Sequence, residues 1–372
     1  MKITEVKTYQ LQCQLSKKTG GSGYMEGTRS AIIIKISTDE GIVGWGETVA
    51  LCGIRRLIEE EYVPQLIGKD PVKDYRKLGP LLWGRYFHSG PALAGIELAL
   101  NDLRGKALNL SVAELFGGRM RDRVAVYASG MNYTDVAAPS GHYAEEARGL
   151  KQQGFKAMKM RIGRLPAKQD VAVAAAVREA VGPDVKLMAD GNGGYSLGTA
   201  LQVGHELHQL GYYWFEEPLP EEHYRGYEAL REKLPLPLAG GEILDSRDCA
   251  KSLITRGIAD ILLPDVSLCG GIGEWLFVAE MARLWGIQIN PHCWAGPIVI
   301  AATVHCLSLM PEASMGALPE NPMLELDVSE NPLRDSIAIN PLKMRDGMMD
   351  VPTAPGLGVE INEAALKPFI VN

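Results

Sequence analysis

The feature that most narrows the possible folds begins near residue 123. From there on, short apolar runs alternate with amphipathic stretches. The runs are VAVYASG (124–130), KAMKMRI, VKLMAD, YYWFEEP, LPLAGGE, ADILLPD, IQINPH and PMLELD, and stretches such as DVAVAAAVREAV lie between them. This strand–helix–strand rhythm belongs to a parallel sheet. Eight such strands in succession fit a closed barrel better than an open sheet. In such barrels catalytic groups stand at the carboxyl ends of the strands, so the residue that ends each run carries functional information.

Those ends are Lys159 and Arg161, then Asp190, Glu216, Glu242, Asp265, His292 and Glu325. Three carboxylates fall on consecutive strands, with 26 residues from Asp190 to Glu216 and 26 from Glu216 to Glu242. Each gap is one βα unit, so the three converge at the barrel mouth. Converging carboxylates repel unless their pKa values rise or a cation neutralises them. An all-oxygen donor set suits Mg²⁺, or Mn²⁺ as a substitute. The plainer alternative is helix N-capping, common for a single Asp after a strand and less so for Glu. In GFKAMKMRIG, strand alternation puts Lys159 and Arg161 on one face and Lys156 on the other. Either the tip of that strand is solvated, or something anionic binds there.

The first 50 residues read as antiparallel strands: ITEVKTYQLQ, AIIIKIST and, after a DEG turn, IVGWGE. Between the first two lies QLSKKTGGSGYMEGTRS, Gly-rich and long enough for a flap over about 15–29. Residues 56–118 read as helices, with ALAGIELALNDLRGKAL at helical spacing. A chain of 372 residues with 46% hydrophobic side chains can bury a large core without staples. Its net charge of −7, without a basic block, argues against nucleic acid as a partner. No apolar run approaches the roughly 18 residues of a membrane span, and MKITEVKTYQLQ reads as a strand rather than a signal peptide. Six cysteines without CxxC spacing read as reduced thiols of a cytoplasmic enzyme.

With these motifs in this order, the chain resembles the enolase superfamily, and within it the mandelate racemase subgroup of the mandelate racemase/muconate lactonizing enzymes. The resemblance rests on KxR, D-x-N, EEP, GGE, PD…GG and PH on successive strands. GIVGWGE, GIELALNDLRGKALNLSVAELFGG and the closing PGLGVEI extend it over nearly the whole chain. It implies an α/β fold: a modified (β/α)8, TIM-like barrel of the (β/α)7β type with an N-terminal α+β capping domain. The expected divisions are a capping domain over 1–122, with substrate-specificity loops at about 15–29 and 49–55, a catalytic barrel over 123–328, and a segment over 329–372 returning to the capping domain. The resemblance also implies Mg²⁺ held by Asp190, Glu216 and Glu242, removal of the proton α to a carboxylate to give an enediolate, and a homo-oligomer, from dimer to octamer.

Superfamily members use a Lys or His base with one or two Mg²⁺ ions. Lys159 is expected to hydrogen-bond the substrate carboxylate. Arg161 stands where the subgroup commonly has a second lysine, and a guanidinium binds and polarises but is a poor proton acceptor. Opposite stands His292, with Asp265 on the preceding strand to fix its tautomer and raise its basicity. Asp265 also occupies the place where muconate lactonizing and dipeptide epimerase branches carry a lysine. Glu325 is expected on the far side of the enediolate, with Glu312 and Glu320 as competitors, and Asn192 shares the face of Asp190. With one good base, β-elimination is expected: dehydration of a sugar acid or cycloisomerisation of an aldaro-lactone. Racemisation of a 2-hydroxy acid stays open if Lys159 acts as a second base. A non-catalytic metal- or anion-binding barrel is the alternative from another class. Substrate choice is expected in the flap, at Lys17, Lys18, Tyr24 and Glu26, and in VALCGIR (49–55); Lys17 or Lys18 would meet a distal carboxylate.

Overall fold

The structure, a computed structural model, describes residues 1–83, 89–134, 139–312 and 320–371. Three antiparallel strands open the chain: β1 (Ile3–Thr19), β2 (Glu26–Thr38) and β3 (Val43–Thr48). β1 pairs with β2 from Ile3↔Thr38 to Thr19↔Glu26, with a register shift between Gln14 and Thr19. The expected flap loop over 15–29 is therefore mostly a hairpin, and only residues 20–25 form its turn. Lys, Ser, Thr and Gly read locally as loop formers, but pairing with β2 across the same turn overrides that propensity.

The helical stretch is broken into pieces. It holds Ile54–Leu57, a π turn at Ile58–Tyr62, Val63–Leu66, Tyr75–Trp83, the long helix α1 (Gly90–Leu108) and a single turn at Val112–Leu115. Residues 84–88 of the stretch lie outside the described residues. Ser89 caps α1 by accepting from the Ala92 amide, and Asn109 ends it in the left-handed conformation. α1 lies directly on β3. A methyl at Gly44 or Gly46 would overlap the carbonyl oxygens of Ala99 and Gly95 respectively. The glycines of GIVGWGE are thus what lets helix and strand touch. Ile32, Ile34, Ile36, Leu93, Ile96 and Leu100 form the core between them.

The barrel follows as β4 (Arg123–Ser129), α2 (Pro139–Gln152), β5 (Ala157–Arg161), α3 (Ala167–Val181), β6 (Lys186–Asp190), α4 (Leu197–Gln209), β7 (Trp214–Glu216) and α5 (Tyr224–Lys233). It continues with β8 (Leu238–Gly240), α6 (Arg247–Arg256), β9 (Ile261–Leu262), α7 (Ile272–Leu284), β10 (Gln288–Ile289), α8 (Pro297–Leu309) and β11 (Met323–Asp327). Neighbouring strands pair in parallel from β4 to β10, and β11 returns to pair with β4. This is the (β/α)7β architecture. Several strands are shorter than the apolar runs that announced them. Glu242, Asp265 and His292 therefore sit on the loops just beyond β8, β9 and β10.

Among the described residues no backbone ladder joins β10 to β11. Side chains close that gap. Asn290 Oδ1 accepts from the Met323 amide at 2.8 Å, and Glu325 Oε2 accepts from the Cys293 amide at 3.0 Å. Residues 313–319 of the connection lie outside the described residues. Inside the barrel Tyr127, Ala157, Met188, Trp214, Ala239 and Ile261 form an apolar floor. Because strand side chains alternate, residues two positions further on point up from that floor into the mouth.

Beyond the barrel, β12 (Met344–Arg345) and β13 (Met348–Asp350) form a small hairpin, and β13 pairs antiparallel with the start of β4. The chain then runs to the capping domain, where the Val371 amide donates to Gln10 O at 2.9 Å. All six cysteines are unpaired. No described helix is long and apolar enough to cross a membrane.

Candidate active site

Register explains why the charged residues meet. Arg161 on β5 is the register partner of Asp190 on β6, and Asp190 is the partner of Glu216 on β7. Each ends its strand, so three charges stand side by side at one level of the barrel. Lys159, one pleat lower on the same face, is 1% exposed, whereas Lys156 is exposed on the outside. The pair read from GFKAMKMRIG therefore points into the barrel and not into solvent.

The Lys159 ammonium lies 2.5 Å from Glu216, 2.8 Å from Glu325 and 3.7 Å from Asp190. Burial alone would lower its pKa, but Glu216, Glu325 and Asp190 raise it well above the usual lysine value. Arg161 Nη1 donates to Asp190 and, at 3.1 Å, to Asn192 Oδ1. The Asn192 amide donates to Asp190 Oδ1 at 2.9 Å. Asn192 and Glu217 both adopt left-handed backbone, with φ of 40° and 36°. Asparagine tolerates this conformation; for glutamate it costs about 1–3 kcal/mol, the kind of strain that clusters at functional sites.

Asp190, Glu216 and Glu242 each offer an oxygen within 4.8 Å of the others. Two of the three are balanced by Lys159 and Arg161. Glu242 is not: its Oε2 has no hydrogen-bond partner, and its nearest cation is His292 Nε2 at 3.7 Å. Burial raises the Glu216 carboxyl above the usual carboxylate range, and the Lys159 ammonium beside it works the other way. An all-oxygen cluster with a buried, orphaned carboxylate oxygen has the donor chemistry of a hard divalent cation site.

Across the mouth, His292 Nδ1–H donates to Asp265 Oδ2 at 2.6 Å. Asp265 is itself fixed, because its Oδ1 accepts from the amide and the hydroxyl of Ser267, both at 2.6 Å. Nε2 is left facing Glu242 and the mouth. Burial alone would lower the imidazole pKa, but Glu242, Glu325 and Asp265 raise it to about 10. Glu325 is buried on β11. Burial would raise its pKa, but the Lys159 ammonium and His292 hold it well below the usual carboxylate range. Paired this way it is an acceptor only, and in this arrangement it holds Lys159 as well as closing the barrel.

The hairpin tip rests on the mouth. Gly20 and Tyr133 exchange two backbone hydrogen bonds, at 3.0 and 3.1 Å, and Ser22 Oγ donates to Asn192 O at 2.9 Å. Tyr24 lines a cleft under the tip with Arg29 and Trp294. Lys17 and Lys18 do not join them. Both are exposed on β1, and neither lines the cavity under the hairpin. Glu26 is exposed at the start of β2 and reaches Arg29 at only 3.5 Å. The 49–55 stretch contributes Val49, Ala50 and Leu51 to a cavity of about 480 Å³ between cap and barrel. Two residues absent from the sequence reading belong to this neighbourhood. Trp294 lies 5.0 Å from the Arg161 guanidinium, and Arg29 lies 5.3 Å from the same indole. Trp294 was findable, being two residues after His292; Arg29 in GTRS carries no local signal.

This barrel, its cap and the charged groups that meet at its mouth define a class. Residues 142–365 match the family model described as enolase C-terminal domain-like, and residues 13–117 match the mandelate racemase/muconate lactonizing enzyme N-terminal domain. The chain belongs to the enolase superfamily, in the mandelate racemase/muconate lactonizing enzyme family, and is an enzyme of lyase or isomerase type. It is 35% identical to D-galactarolactone cycloisomerase of Agrobacterium fabrum, over 99% of both chains. It is 33% identical to D-galactonate dehydratase of Verminephrobacter eiseniae, over 98% of this chain and 93% of that protein. Among solved structures it is similar to the 3,6-anhydro-D-galactonate cycloisomerase from Zobellia galactanivorans, with a TM-score of 0.89, 32% identity and full coverage of both chains.

Proposed function

We propose that the chain catalyses a one-base β-elimination on an acid sugar or its lactone, with His292 as the base. The observation that carries this reading is the asymmetry of the mouth. One side presents a histidine whose Nδ1 is held by Asp265 and whose Nε2 faces the mouth; the other presents Arg161 and a Lys159 engaged by two carboxylates. A guanidinium does not accept a proton at working pH. The Lys159 ammonium is engaged directly by Glu216 at 2.5 Å and Glu325 at 2.8 Å, whereas the nearest carboxylate to His292 Nε2 is at 3.7 Å. Racemisation needs acceptors on both sides, and this site offers one.

The α-proton of a carboxylate is hard to remove because its loss places a second charge on the same group. Asp190, Glu216 and Glu242 would hold Mg²⁺, which supplies positive charge beside the developing enediolate and offsets the carboxylate field that otherwise keeps His292 protonated. Lys159 and Arg161 hydrogen-bond the substrate carboxylate from their side. Asp265 holds the imidazole so that Nε2 takes the α-proton. As imidazolium, the same nitrogen then returns a proton to the departing β-oxygen: a hydroxyl in a dehydration, a ring carboxylate oxygen in a lactone opening. The relatives named as cycloisomerase and dehydratase support both outcomes.

The test is deuterium incorporation at the α-carbon in D₂O, followed by NMR over a panel of acid sugars and lactones. His292→Asn should lose both exchange and product. Exchange of both α-epimers by the native protein, surviving in His292→Asn, would place a working base on the Lys159 side and overturn the one-base reading.

A further inference from the structure

A buried cation without an adequate partner lies outside the groups assigned above. Arg29 on β2 is 7% exposed, beneath the hairpin. Its Nη2 donates to the Ser329 hydroxyl at 2.9 Å, a neutral partner, and its nearest carboxylate is the exposed Glu26 at 3.5 Å. Its Nε is buried and has no hydrogen-bond partner. Asp327 nearby gives Oδ1 to the amide and hydroxyl of Ser329, and its Oδ2 faces Arg334 at 3.4 Å without a hydrogen bond, so it does not complete the Arg29 fork. A buried guanidinium left this way is costly unless an anion completes it.

Its position says which anion. Arg29 lines both the cleft under the hairpin tip and the cavity of about 480 Å³ between cap and barrel. Arg29 and Arg161 lie 5.3 and 5.0 Å from the centroid of one ring, that of Trp294, so their guanidinium centres are within about 10 Å of each other. A five- or six-carbon chain with bonds of about 1.5 Å spans roughly 4–6 Å, depending on how it bends. Charge-assisted contacts of about 3 Å at either end complete such a gap. A guanidinium fork suits a planar carboxylate, not a neutral hydroxyl.

We infer that Arg29 binds the distal carboxylate of the substrate and selects a dicarboxylic acid sugar, an aldarate or its lactone, over the aldonate of the same configuration. This rests on the acid-sugar reading of the site and assigns to Arg29 the role that the exposed Lys17 and Lys18 do not fill.

Calorimetric binding with Mg²⁺ present, comparing six-carbon aldarates with aldonates of matching configuration, tests it without turnover. The native protein should bind the matching aldarate at least about tenfold more tightly. Arg29→Gln should erase that preference while leaving aldonate binding within about twofold. Equal native binding of both classes overturns the inference. So does an Arg29→Gln protein that keeps the preference, or one that weakens both classes equally, which would make Arg29 a structural cation. Should Arg29→Gln not fold, Arg29→Lys keeps the charge but loses the fork; it should narrow the preference, and an unchanged preference overturns the inference. Deuterium exchange at the α-carbon, read separately, reports on the acid-sugar reading itself, so the two can fail independently.

Discussion

The barrel mouth and the seam between cap and barrel each gather carboxylates around a histidine, and the two regions treat them in opposite ways. At the mouth, Asp190, Glu216 and Glu242 face one another and are balanced by side-chain cations that leave Glu242 short. At the seam, Glu47 accepts from the Gly296, Ile298 and Val299 amides at the start of α8, at 2.6, 3.1 and 3.3 Å. Glu97 does the same for Ile272 and Gly273 at the start of α7, at 2.9 and 3.2 Å. Asp102 accepts from the Trp45 and Leu357 amides, both at 2.9 Å. Glu47 and Glu97 thus join the cap to helix N-termini of the barrel, where an anion is stabilised by up to about 2 kcal/mol when partly buried, and Asp102 ties α1 to β3 and to the C-terminal segment. Charge at the seam goes to backbone donors, with Lys106 added at Asp102 and Tyr75 and Asn101 at Glu97; charge at the mouth is kept available.

The histidines show the same division. His292 is ringed by carboxylates that favour its protonated form. At the seam, His305 Nδ1 accepts from the Ala113 amide at 3.3 Å, while its Nε2–H donates to Leu357 O at 3.2 Å. Only the neutral ring satisfies both bonds.

The sharpest way to break this comparison is Glu242→Gln, which removes a mouth carboxylate without orphaning a cation. Turnover should fall about a thousandfold or more, equivalent to about 4 kcal/mol, and the Mg²⁺-dependent rise in Tm should vanish while the metal-free Tm stays put. A large loss of metal-free stability would show that the mouth is structural like the seam. Asp102→Ala should do the reverse. It leaves two buried amides without a partner and Lys106 with only the Val43 carbonyl, and should cost about 3–4 kcal/mol in chemical denaturation with kcat nearly unchanged in the folded fraction.

A third test is acid titration of stability. Burial lowers the His305 pKa to about 4, against about 6.5 in the unfolded chain. The unfolded state therefore binds more protons between these values. The stability this ring contributes is complete above pH 6.5 and is lost as pH falls through 4, up to about 3 kcal/mol. His305→Gln should flatten that part of the profile; an identical acid slope in the variant would remove His305 from the account. The smallest effect is expected from Ser22→Ala, which loses one hydrogen bond between hairpin tip and barrel. It should raise KM a few-fold and change stability by less than about 1 kcal/mol.

The mouth was largely legible in the sequence and the seam was not. Asp190, Glu216 and Glu242 recur with the period of the fold, and Lys159 and Arg161 are placed by strand alternation, so local pattern suffices. Glu47, Glu97 and Asp102 lie on ordinary strand and helix positions, and their partners are amides up to 255 residues away. Nothing in GIVGWGE tells that its glutamate will cap α8. Arg29 is hidden for the same reason, and the hairpin reads as a loop because its Lys, Ser, Thr and Gly each favour loops, a preference that cross-strand pairing outweighs.

Glu325 has a consequence for how this fold diversifies. One oxygen of its carboxylate holds the Cys293 backbone across the gap between the last two strands, and the other holds Lys159. A lineage exploring new reactions can exchange Arg161 or residues of the hairpin tip and leave the sheet intact. Replacing Glu325 changes chemistry and architecture in one step, so evolutionary routes through that position need a second substitution to rebuild the joint.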